Sequence, residues 1–450
     1  MSSPVAINKK FAAYPEYKDS DIEWVGDIPI NWNVLPAFAV LREECIRNLD
    51  GAETNVLSLS YGAIKQRDVE SNAGLLPESF NTYQLVNYGD IVLRLTDLQN
   101  DKRSLRVGRS TQKGIITSAY MKLVCLHQLD NRFAYQLLHS YDTTKVFYGM
   151  GGGLRQSMKF EDFRRLPVIV PPLEEQRTIA AFLDYETARI DQLIAKQQKL
   201  IELLKEKRQA VISLAVTKGL NPDAPMKDSG VEWLGQVPLH WMVAGFKKYL
   251  EPIVDYRGKT PNKTESGVFL VTARNIKNGT VDYDLSQEYI SEDDYEEVMR
   301  RGKPQIGDVL FTTEAPLGEV AQVDRDDIAL AQRVIKFRGA SGVIDNTYLK
   351  IFIQSTHFRQ GLMTFATGST ALGIKSDRLG YLRQLIPPIV EQQEIVSSVV
   401  DSLKKFDELI SVASSGIKLM QDRRTALISA AVTGKIDLRG WRPPVKDVAA

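Results

Sequence analysis

Basic side chains between residues 94 and 113 form a candidate binding site in this 450-residue chain, and the chemistry they suit is contact with phosphate. The run contains Arg94, Lys102, Arg103, Arg106, Arg109 and Lys113. Only Asp97 and Asp101 oppose this charge, and glycine, threonine and glutamine lie among the basic residues. Lysine and arginine neutralise phosphates, and arginine also pairs with base edges in the major groove. We predict that this loop binds DNA; the alternative is an ordinary solvated loop.

Smaller basic groups elsewhere extend the set of candidate DNA-binding residues. Two follow Tyr61, three lie among Gly, Pro and Thr in the stretch YRGKTPNKTE (256–265), and two follow the apolar run VFLVTA (268–273). The remaining three lie in or just after glycine-rich segments at 151–157 and 368–374, where glycine permits a close backbone approach. In chain order these residues are Lys65, Arg67, Arg155, Lys159, Arg257, Lys259, Lys263, Arg274, Lys277 and Lys375.

Motifs that would indicate catalysis are missing from the sequence. The GKT at 258–260 lacks the upstream glycine of a phosphate-binding loop, because that position is Ile253. An adenine methyltransferase needs Asn or Asp before a Pro-Pro pair, whereas the three pairs here follow Val170, Ile386 and Arg442. The histidines have no metal-ligand spacing and are expected to be surface or packing residues: His127, His139, His240 and His357. We therefore predict no catalytic residue and no metal site in this chain.

An internal repeat organises these candidates. KDSDIEWVGDIPINW (18–32) returns as KDSGVEWLGQVPLHW (227–241) at an offset of 209 residues. PPLEEQ (171–176) returns as PPIVEQ (387–392), and AVT (215–217) as AVT (431–433), both at an offset of 216. Such constant offsets predict two related halves, each with a tryptophan-containing segment, a globular block and a long helix.

The repeat divides the chain into a series of segments. These are an N-terminal tryptophan segment (1–32), a globular block (33–170), a central long helix (171–219), a second tryptophan segment (220–241), a second globular block (242–386), a distal long helix (387–435) and a C-terminal tail (436–450). The blocks share little sequence beyond a Gly-Asp turn followed by an apolar run, at 89–97 and 307–315. Strand-like runs alternate with helix candidates at 131–140, 291–301 and 347–355, the last two with caps expected at Ser291 and near Asn346. The predicted fold class is therefore α+β.

Heptad-like spacing in the long helices predicts that they pair with each other. Between Leu173 and Lys218 there is no Gly or Pro, and about 45 residues rising about 1.5 Å each give a rod of roughly 65 Å. An antiparallel coiled coil related by a pseudo-two-fold is the natural arrangement of two such repeats. The predicted seam residues are Leu183, Ile190, Leu193, Gln197, Leu200, Leu204, Val211, Val396, Val399, Leu403, Phe406, Ile410, Ile417, Met420 and Leu427. As the polar member, Gln197 either fixes the register or points partly to solvent.

Composition limits the class of protein. Hydrophobic residues make up 43% and charged residues 25%, as in ordinary globular proteins, and the net charge of +1 restricts any nucleic-acid surface to local patches. Cys45 and Cys125 are too few for a disulfide framework. No apolar run approaches about 18 residues. We expect a cytoplasmic protein without a membrane span.

The doubled motifs resemble those of the specificity subunits (HsdS) of type I restriction-modification systems. The resemblance rests on the repeated EW-G-P-W segment, the glycine-rich segment before Pro-Pro, the repeated PPL/I-x-EQ, the long helices and their VTK and VTG endings. It covers essentially the whole chain. One departure is VTGK at 432–435 against VTKG at 216–219, which we expect to change only the exit from the helix.

This resemblance implies a fold and a function. The globular blocks would be two target recognition domains, joined by two long antiparallel coiled-coil helices. Each domain would recognise one half of a bipartite, asymmetric double-stranded DNA site, and the helices would set the length of the unread spacer. The helices would also dock two modification subunits that methylate an adenine in each half-site, and restriction subunits would join for cleavage. The cofactors, S-adenosylmethionine, ATP and magnesium, would belong to these partners and none to this chain.

Two other functions stay open on the sequence. The chain could be a fragment of a fused methyltransferase-specificity enzyme, although the Asn/Asp-Pro-Pro-aromatic motif is missing. It could also be a coiled-coil scaffold without a role on DNA.

Overall fold

The computed structural model describes residues 11–68, 79–101, 104–150, 157–256, 261–368 and 372–444. Its contacts divide the chain into two compact units: unit 1 comprises Met1–Gln197 and Ser415–Ala450, and unit 2 comprises Gln198–Ser414. Each long helix therefore contributes one part to each unit.

Helices of very different lengths occur in the chain. They are α1 (Ala37–Val40), α2 (Asn131–Thr143), α3 (Phe160–Phe163), α4 (Leu173–Lys218), α5 (Tyr295–Val298), α6 (Asn346–Ile353), α7 (Thr356–Phe365) and α8 (Ile389–Val432), with 3₁₀ turns at Val146–Gly149 and Arg378–Tyr381. The helix expected over 291–301 is wrong except for α5, because the backbone from Ser291 to Tyr295 closes successive turns instead. The cap of α6 is Asp345, one residue before Asn346. Its carboxylate accepts hydrogen bonds from the backbone N–H groups of Thr347 and Tyr348.

The strands of unit 1 precede α4. They are β1 (Tyr17–Asp19), β2 (Asp27–Pro29), β3 (Asn33–Pro36), β4 (Leu41–Glu43), β5 (Leu57–Ser60), β6 (Ala63–Gln66), β7 (Gln84–Val86), β8 (Ile91–Leu93), β9 (Val107–Arg109), β10 (Gly114–Ile116), β11 (Met121–Cys125) and β12 (Pro167–Val170). The main antiparallel sheet has the order β4-β11-β8-β9, and β3 pairs with β12.

Unit 2 repeats this arrangement. Its strands are β13 (Met226–Asp228), β14 (Gln236–Pro238), β15 (Met242–Gly245), β16 (Val254–Asp255), β17 (Val268–Val271), β18 (Ile276–Lys277), β19 (Thr280–Val281), β20 (Tyr289–Ile290), β21 (Val309–Thr312), β22 (Val320–Gln322), β23 (Ile328–Leu330), β24 (Val334–Phe337) and β25 (Arg383–Ile386). The order β16-β24-β21-β22 matches the main sheet of unit 1, and β15 pairs with β25 as β3 does with β12. A further sheet, β20-β17-β23, includes a parallel pair. The mixed α+β fold class with two long helices is confirmed.

Within each unit the long helices run antiparallel. In unit 1, Leu183 and Leu427 share one hydrophobic core, and Arg424 Nε lies 3.3 Å from Asp191 Oδ1. In unit 2, Arg208 Nε donates to Asp407 Oδ1 at 3.1 Å. Low numbers on α4 thus meet high numbers on α8, as an antiparallel pair requires.

Burial along the helices differs from the predicted seam at two positions. Leu183, Ile190, Leu204, Val399 and Leu427 are buried. The half-buried members are Gln197, Val211, Val396, Leu403, Phe406, Ile410, Ile417 and Met420. Leu193 and Leu200 are 45% and 43% exposed, which contradicts their assignment to the seam. The half-buried Ile194 packs on the core instead, because the second buried position of each heptad lies four residues after the first, at Ile194 and Ile201, and not three residues after it.

The tryptophan segments are held to the starts of the long helices by the same contact in both units. Strands β1 and β2 form a hairpin in the register that β13 and β14 repeat. Indole Nε1 of Trp32 donates to Glu175 Oε1 at 3.1 Å, and Nε1 of Trp241 donates to Glu391 Oε1 at 3.0 Å. Both indoles are buried, so in each unit the motif glutamate accepts the hydrogen bond of an indole N–H that is shielded from water.

The glutamine that ends each PPL/I-x-EQ motif is fully buried and makes three hydrogen bonds. Gln176 accepts from the backbone N–H of Asp130 at 2.8 Å and donates to two carbonyls. Gln392 accepts from the N–H of Asp345 at 2.9 Å and likewise donates to two carbonyls. Asp130 and Asp345 cap α2 and α6, so the glutamine fixes the globular block to its long helix.

Glycine and lysine follow each other in opposite order at the ends of the two long helices, but the lysine makes the same contact in both. Lys218 Nζ donates to the carbonyl of Gln236 at 2.5 Å, and Lys435 Nζ donates to the carbonyl of Asp27 at 2.6 Å, the equivalent position. Gly219 and Gly434 both have positive φ, +75° and +72°, and lie against the tryptophan side chains. The two endings are therefore alternative routes to the same helix exit.

Candidate nucleic-acid interface

The Gly-Asp turns that the two blocks share place an aspartate inside each main sheet. Gly89 and Gly307 have φ of +88° and +90°, a conformation that glycine adopts readily. The following aspartates, Asp90 and Asp308, accept from a backbone N–H three residues earlier, at 2.8 and 2.9 Å. Both carboxylates are buried and meet a buried lysine from the neighbouring strand.

The two aspartates differ in the charges around them: Asp90 shares one cation with a second carboxylate, whereas Asp308 pairs with two cations. In unit 1, Lys122 Nζ lies 3.1 Å from Glu44 and 3.6 Å from Asp90. In unit 2, Asp308 has two cations, Lys336 at 3.1 Å and Arg338 at 2.6 Å. Burial raises the pKa of Asp90 above its ordinary value. Burial also acts on Asp308, but the hydrogen bonds from Arg338 and Lys336 outweigh it and lower its pKa.

Strand ends in unit 2 form a polar groove, which we call the strand-end groove. Its cavity is about 200 Å³. It is lined by Pro261, Lys263, Leu270, Thr272, Ala273, Arg274, Glu288, Ala315, Ala331, Gln332 and Arg333. Because β17 and β23 are parallel, both end at this edge, and the N–H of Ala331 donates to the carbonyl of Val271 at 2.9 Å. Two predicted residues, Lys263 and Arg274, thus meet in one place.

Sequence reasoning missed Gln332 and Arg333 in this groove. They occupy the short joint between β23 and β24, both of which are buried throughout. Polar residues between two buried strands were the available signal, because only the joint can face solvent. Asn275, beside Arg274, is a structural residue: it is fully buried and bonds the backbone of Thr272, Asp282 and Ser286.

Arg106 was predicted to bind DNA, and the structure contradicts this. The side chain is fully buried, and its guanidinium donates to the carbonyls of Arg94 (3.3 Å), Thr96 (2.6 Å), Asp97 (3.3 Å) and Asp101. A guanidinium with five N–H donors can hold several carbonyls of one loop. Arg106 therefore shapes the loop from Arg94 to Asp101 and has no surface to offer to phosphate.

Other predicted residues of unit 1 lie on the surface in separate places. Lys65 is exposed on β6, and Arg67 is half-buried just after it. Arg109 is half-buried, with Nη1 3.5 Å from Asn131 Oδ1. Lys113 is exposed and 3.6 Å from Glu53. The backbone of Arg94, itself half-buried, pairs with that of Arg106.

The lysines that follow the glycine-rich segments occupy equivalent positions. The N–H of Met158, before Lys159, donates to the carbonyl of Leu95 at 2.9 Å. The N–H of Ile374, before Lys375, donates to the carbonyl of Thr313 at 3.0 Å. Both lysines are exposed beside the turn that follows the Gly-Asp strand.

The remaining candidates divide into one placed residue and several outside the described ranges. Lys277 is exposed on the β18–β19 hairpin and does not line the strand-end groove. The predictions for Lys102, Arg103, Arg155, Arg257 and Lys259 lie outside the described residues.

The histidines have separate environments. His139 is buried on α2, and burial together with the charge of Arg424 lowers its pKa to about 4. His240 Nε2 lies 2.8 Å from Glu391 Oε2. Within the described ranges no group of three or more His, Cys, Asp or Glu side chains is placed to hold a metal ion. Among those same ranges, no helix has the length and apolar character needed to cross a membrane.

Comparisons with known proteins agree with this architecture. The family model described as "Type I restriction modification DNA specificity domain" matches residues 108–203, from β9 into α4. A solved structure from work on complex assembly and conformational transition of the type I R-M system has a TM-score of 0.66 and 14% identity, covering 90% of this chain and 98% of that one. At this identity the likeness concerns the fold: paired α+β units built on two long helices.

Two relatives of low identity are specificity subunits of type I restriction enzymes. The MjaVIII type I restriction enzyme specificity subunit of Methanocaldococcus jannaschii is 24% identical over 79% of this chain and 81% of that protein. The EcoKI type I restriction enzyme specificity subunit of Escherichia coli is 24% identical over 65% of this chain and 62% of that protein. The resemblance predicted from the doubled motifs is confirmed: the family model, the relatives and the solved structure all point to the specificity subunits of type I restriction-modification systems.

Proposed function

We propose that residues 33–170 and 242–386 are target recognition domains, each binding one half of a bipartite, asymmetric DNA site. The observation that carries this proposal is that the two units share a set of buried contacts, which we call the frame, but present different surfaces at their strand ends. The Trp32–Glu175 and Trp241–Glu391 contacts are the same in both units. The loops at the strand ends are different, since unit 1 carries the loop organised by Arg106 and unit 2 carries the strand-end groove. One scaffold presenting two different surfaces suits recognition of two different half-sites.

The long helices would set the spacer between these half-sites. Helices α4 and α8 are 46 and 44 residues long, and both contribute to both units. A rigid helical pair defines a fixed distance, and the distance between two DNA-binding elements determines which half-site spacings can be bound together.

The chemistry would be supplied by partner subunits. We assign no catalytic residue to this chain, and we propose that two modification subunits, carrying S-adenosylmethionine, dock on the helices. Restriction subunits, with ATP and magnesium, would join this assembly for cleavage. Because its ligand is DNA, we propose that the assembly is cytoplasmic.

Shortening both helices tests the spacer role. Between the Asp191–Arg424 and Arg208–Asp407 ion pairs, the stretches 192–207 and 408–423 have equal length. Deleting 194–200 together with 415–421 keeps both ion pairs in register and removes about 10 Å of helix. We expect the modified site to keep both half-sites and to lose about three base pairs of spacer, as measured by sequencing of methylated adenines in a host that carries the complete system.

Deleting only 194–200 is the matched control. It breaks the register of the ion pairs and should abolish modification without creating a new spacer. An altered half-site in the double deletion would contradict the spacer role. Gel shifts of the assembled complex that show no sequence preference would contradict DNA recognition and favour a scaffold.

A further inference from the structure

The strand-end groove of unit 2 presents two polar side chains that have no protein partner among the described residues. Arg274 is exposed at the end of β17, with no carboxylate within ion-pair distance in those ranges. Gln332 is half-buried in the β23–β24 joint, and its amide makes no hydrogen bond to the same described residues. Both line the same cavity, so one guanidinium and one carboxamide are available to one ligand.

The other basic residues of the groove are held by carboxylates at its rim. Lys263 Nζ lies 2.7 Å from Glu288 Oε2, and Arg333 Nε lies 3.0 Å from Glu314 Oε1. These pairs neutralise much of the local charge. The groove is therefore poorly suited to bind phosphate by charge alone, and the free groups are those that form directional hydrogen bonds.

The backbone that presents Arg274 is rigid. Asn275 Oδ1 accepts from the N–H of Thr272 at 3.0 Å and from its hydroxyl at 2.8 Å, and Nδ2 donates to two carbonyls at 2.9 Å. A turn fixed by a fully buried side chain loses little conformational entropy when its neighbour binds a ligand. Gln332 is positioned comparably, since Ala331 before it bonds to Val271 and Val334 after it begins β24.

Gln332 also lines the adjoining cavity of about 90 Å³, whose other polar lining residues are Tyr256, Asn262, Asp294, Glu297, Arg300 and Arg301. The carboxamide thus lies where the two cavities meet. A ligand that occupies both cavities would contact Gln332.

We propose that the strand-end groove contacts base edges of duplex DNA in the major groove, and that Arg274 and Gln332 are specificity-determining residues for the half-site bound by unit 2. This rests on the proposed function of the chain. Arginine pairs with O6 and N7 of guanine through two hydrogen bonds, and glutamine pairs with N6 and N7 of adenine in the same way. The half-site of unit 2 therefore contains a guanine and an adenine at the positions these side chains contact.

Variants assayed in the complete complex test this assignment. Gln332→Ala and Arg274→Ala should each lower discrimination at a base pair of one half-site by about tenfold or more, leaving the other half-site unchanged. Arg274→Lys, which keeps the charge but cannot form the paired contact, should also lose discrimination. Arg325→Ala is the matched control, since it removes an arginine of unit 2 that is held by Asp327 and does not line the groove.

The readouts are sequencing of methylated adenines and competition binding with single-base variants of the site. Relaxed recognition in one half-site supports the proposal. Unchanged recognition in both Gln332→Ala and Arg274→Ala overturns it, and so does a uniform loss of affinity with unchanged base preference, which would make Arg274 a phosphate contact. A wild-type complex without any sequence preference would instead overturn the proposed function, so the two failures are distinguishable.

Discussion

The main sheets of the two units share a strand order but differ in the balance of buried charge. Unit 1 surrounds one buried lysine, Lys122, with two carboxylates. Unit 2 surrounds one buried carboxylate, Asp308, with Lys336 and Arg338. The Gly-Asp turn is the same in both, so the difference lies in the residues added to it.

This comparison separates two kinds of position. Residues that satisfy a buried group of the frame keep their type in both units, as Gln176 and Gln392 do. Residues that only neutralise a local charge can be exchanged, provided that no buried charge is left without a partner. The divergence of the blocks is therefore greatest outside the frame, where unlike surfaces can be presented to DNA.

Removing the shared aspartate should have unequal effects in the two units. Asp308→Asn leaves two partly buried cations without their main acid and should destabilise unit 2 by about 3–5 kcal/mol. Asp90→Asn should change stability by no more than about 1 kcal/mol, because Lys122 keeps Glu44 and the asparagine still accepts the turn hydrogen bond. Native-state hydrogen exchange of β21 and β8 measures each loss locally, which avoids assuming a single unfolding transition. Equal losses would contradict the importance of the charge balance.

Removing the motif glutamine should instead affect both units alike. Gln176→Leu and Gln392→Leu each leave a partly buried cap N–H and two carbonyls without partners, and we expect each to lower the free energy of unfolding by about 2–3 kcal/mol. Hydrogen exchange of α2 and α6 provides the measurement. Gln197→Leu, at a half-buried helix position, is the control and should change stability little. A large loss in only one unit would show that the frame does not serve both in the same way.

Acidification should distinguish the units more weakly. The lowered pKa of Asp308 means that its stabilisation is present above the unfolded value of about 4 and is lost as the pH falls below it. The raised pKa of Asp90 has the opposite sign: unit 1 gains stability as the pH falls through that raised value towards about 4. Each unit of pKa difference corresponds to about 1.4 kcal/mol. Exchange rates of β21 and β8 between pH 7 and 3 should diverge, and Asp308→Asn and Asp90→Asn should remove the divergence.

Repeats and periodicity predicted the frame well, because they report buried positions that must keep both spacing and type. The two tryptophan segments, the two PPL/I-x-EQ motifs and the two long helices all follow from constant offsets and apolar spacing, whereas the Trp32–Glu175 and Trp241–Glu391 contacts are visible only in the structure. The seam was less predictable: Leu193 and Leu200 are exposed although the heptad count includes them. The second buried position of each heptad is at Ile194 and Ile201 instead, and the sequence does not choose between these and Leu193 and Leu200 because residues three and four apart are both neighbours on a helix surface.

The candidate site was predicted only in part. Lys263 and Arg274 could be proposed from their type, but Gln332 and Arg333 reach the same groove from a joint about 60 residues further along the chain. That juxtaposition depends on the parallel pairing of β17 with β23, for which the sequence contains no local signal. Arg106 shows the opposite error, since a basic residue in a polar loop is equally compatible with binding phosphate and with holding the loop's own carbonyls.

The sequence by itself therefore determined the duplication, the frame that repeats and the family that the chain resembles, because these depend on residue type at fixed spacing. Only the tertiary structure decided which charges are free. Strand pairing decides whether an arginine faces solvent or donates its hydrogen bonds to backbone carbonyls. It also decides whether a buried aspartate pairs with one cation or with two. Those pairings join residues far apart in the chain, and their energies come from burial and from hydrogen bonds that no local pattern records.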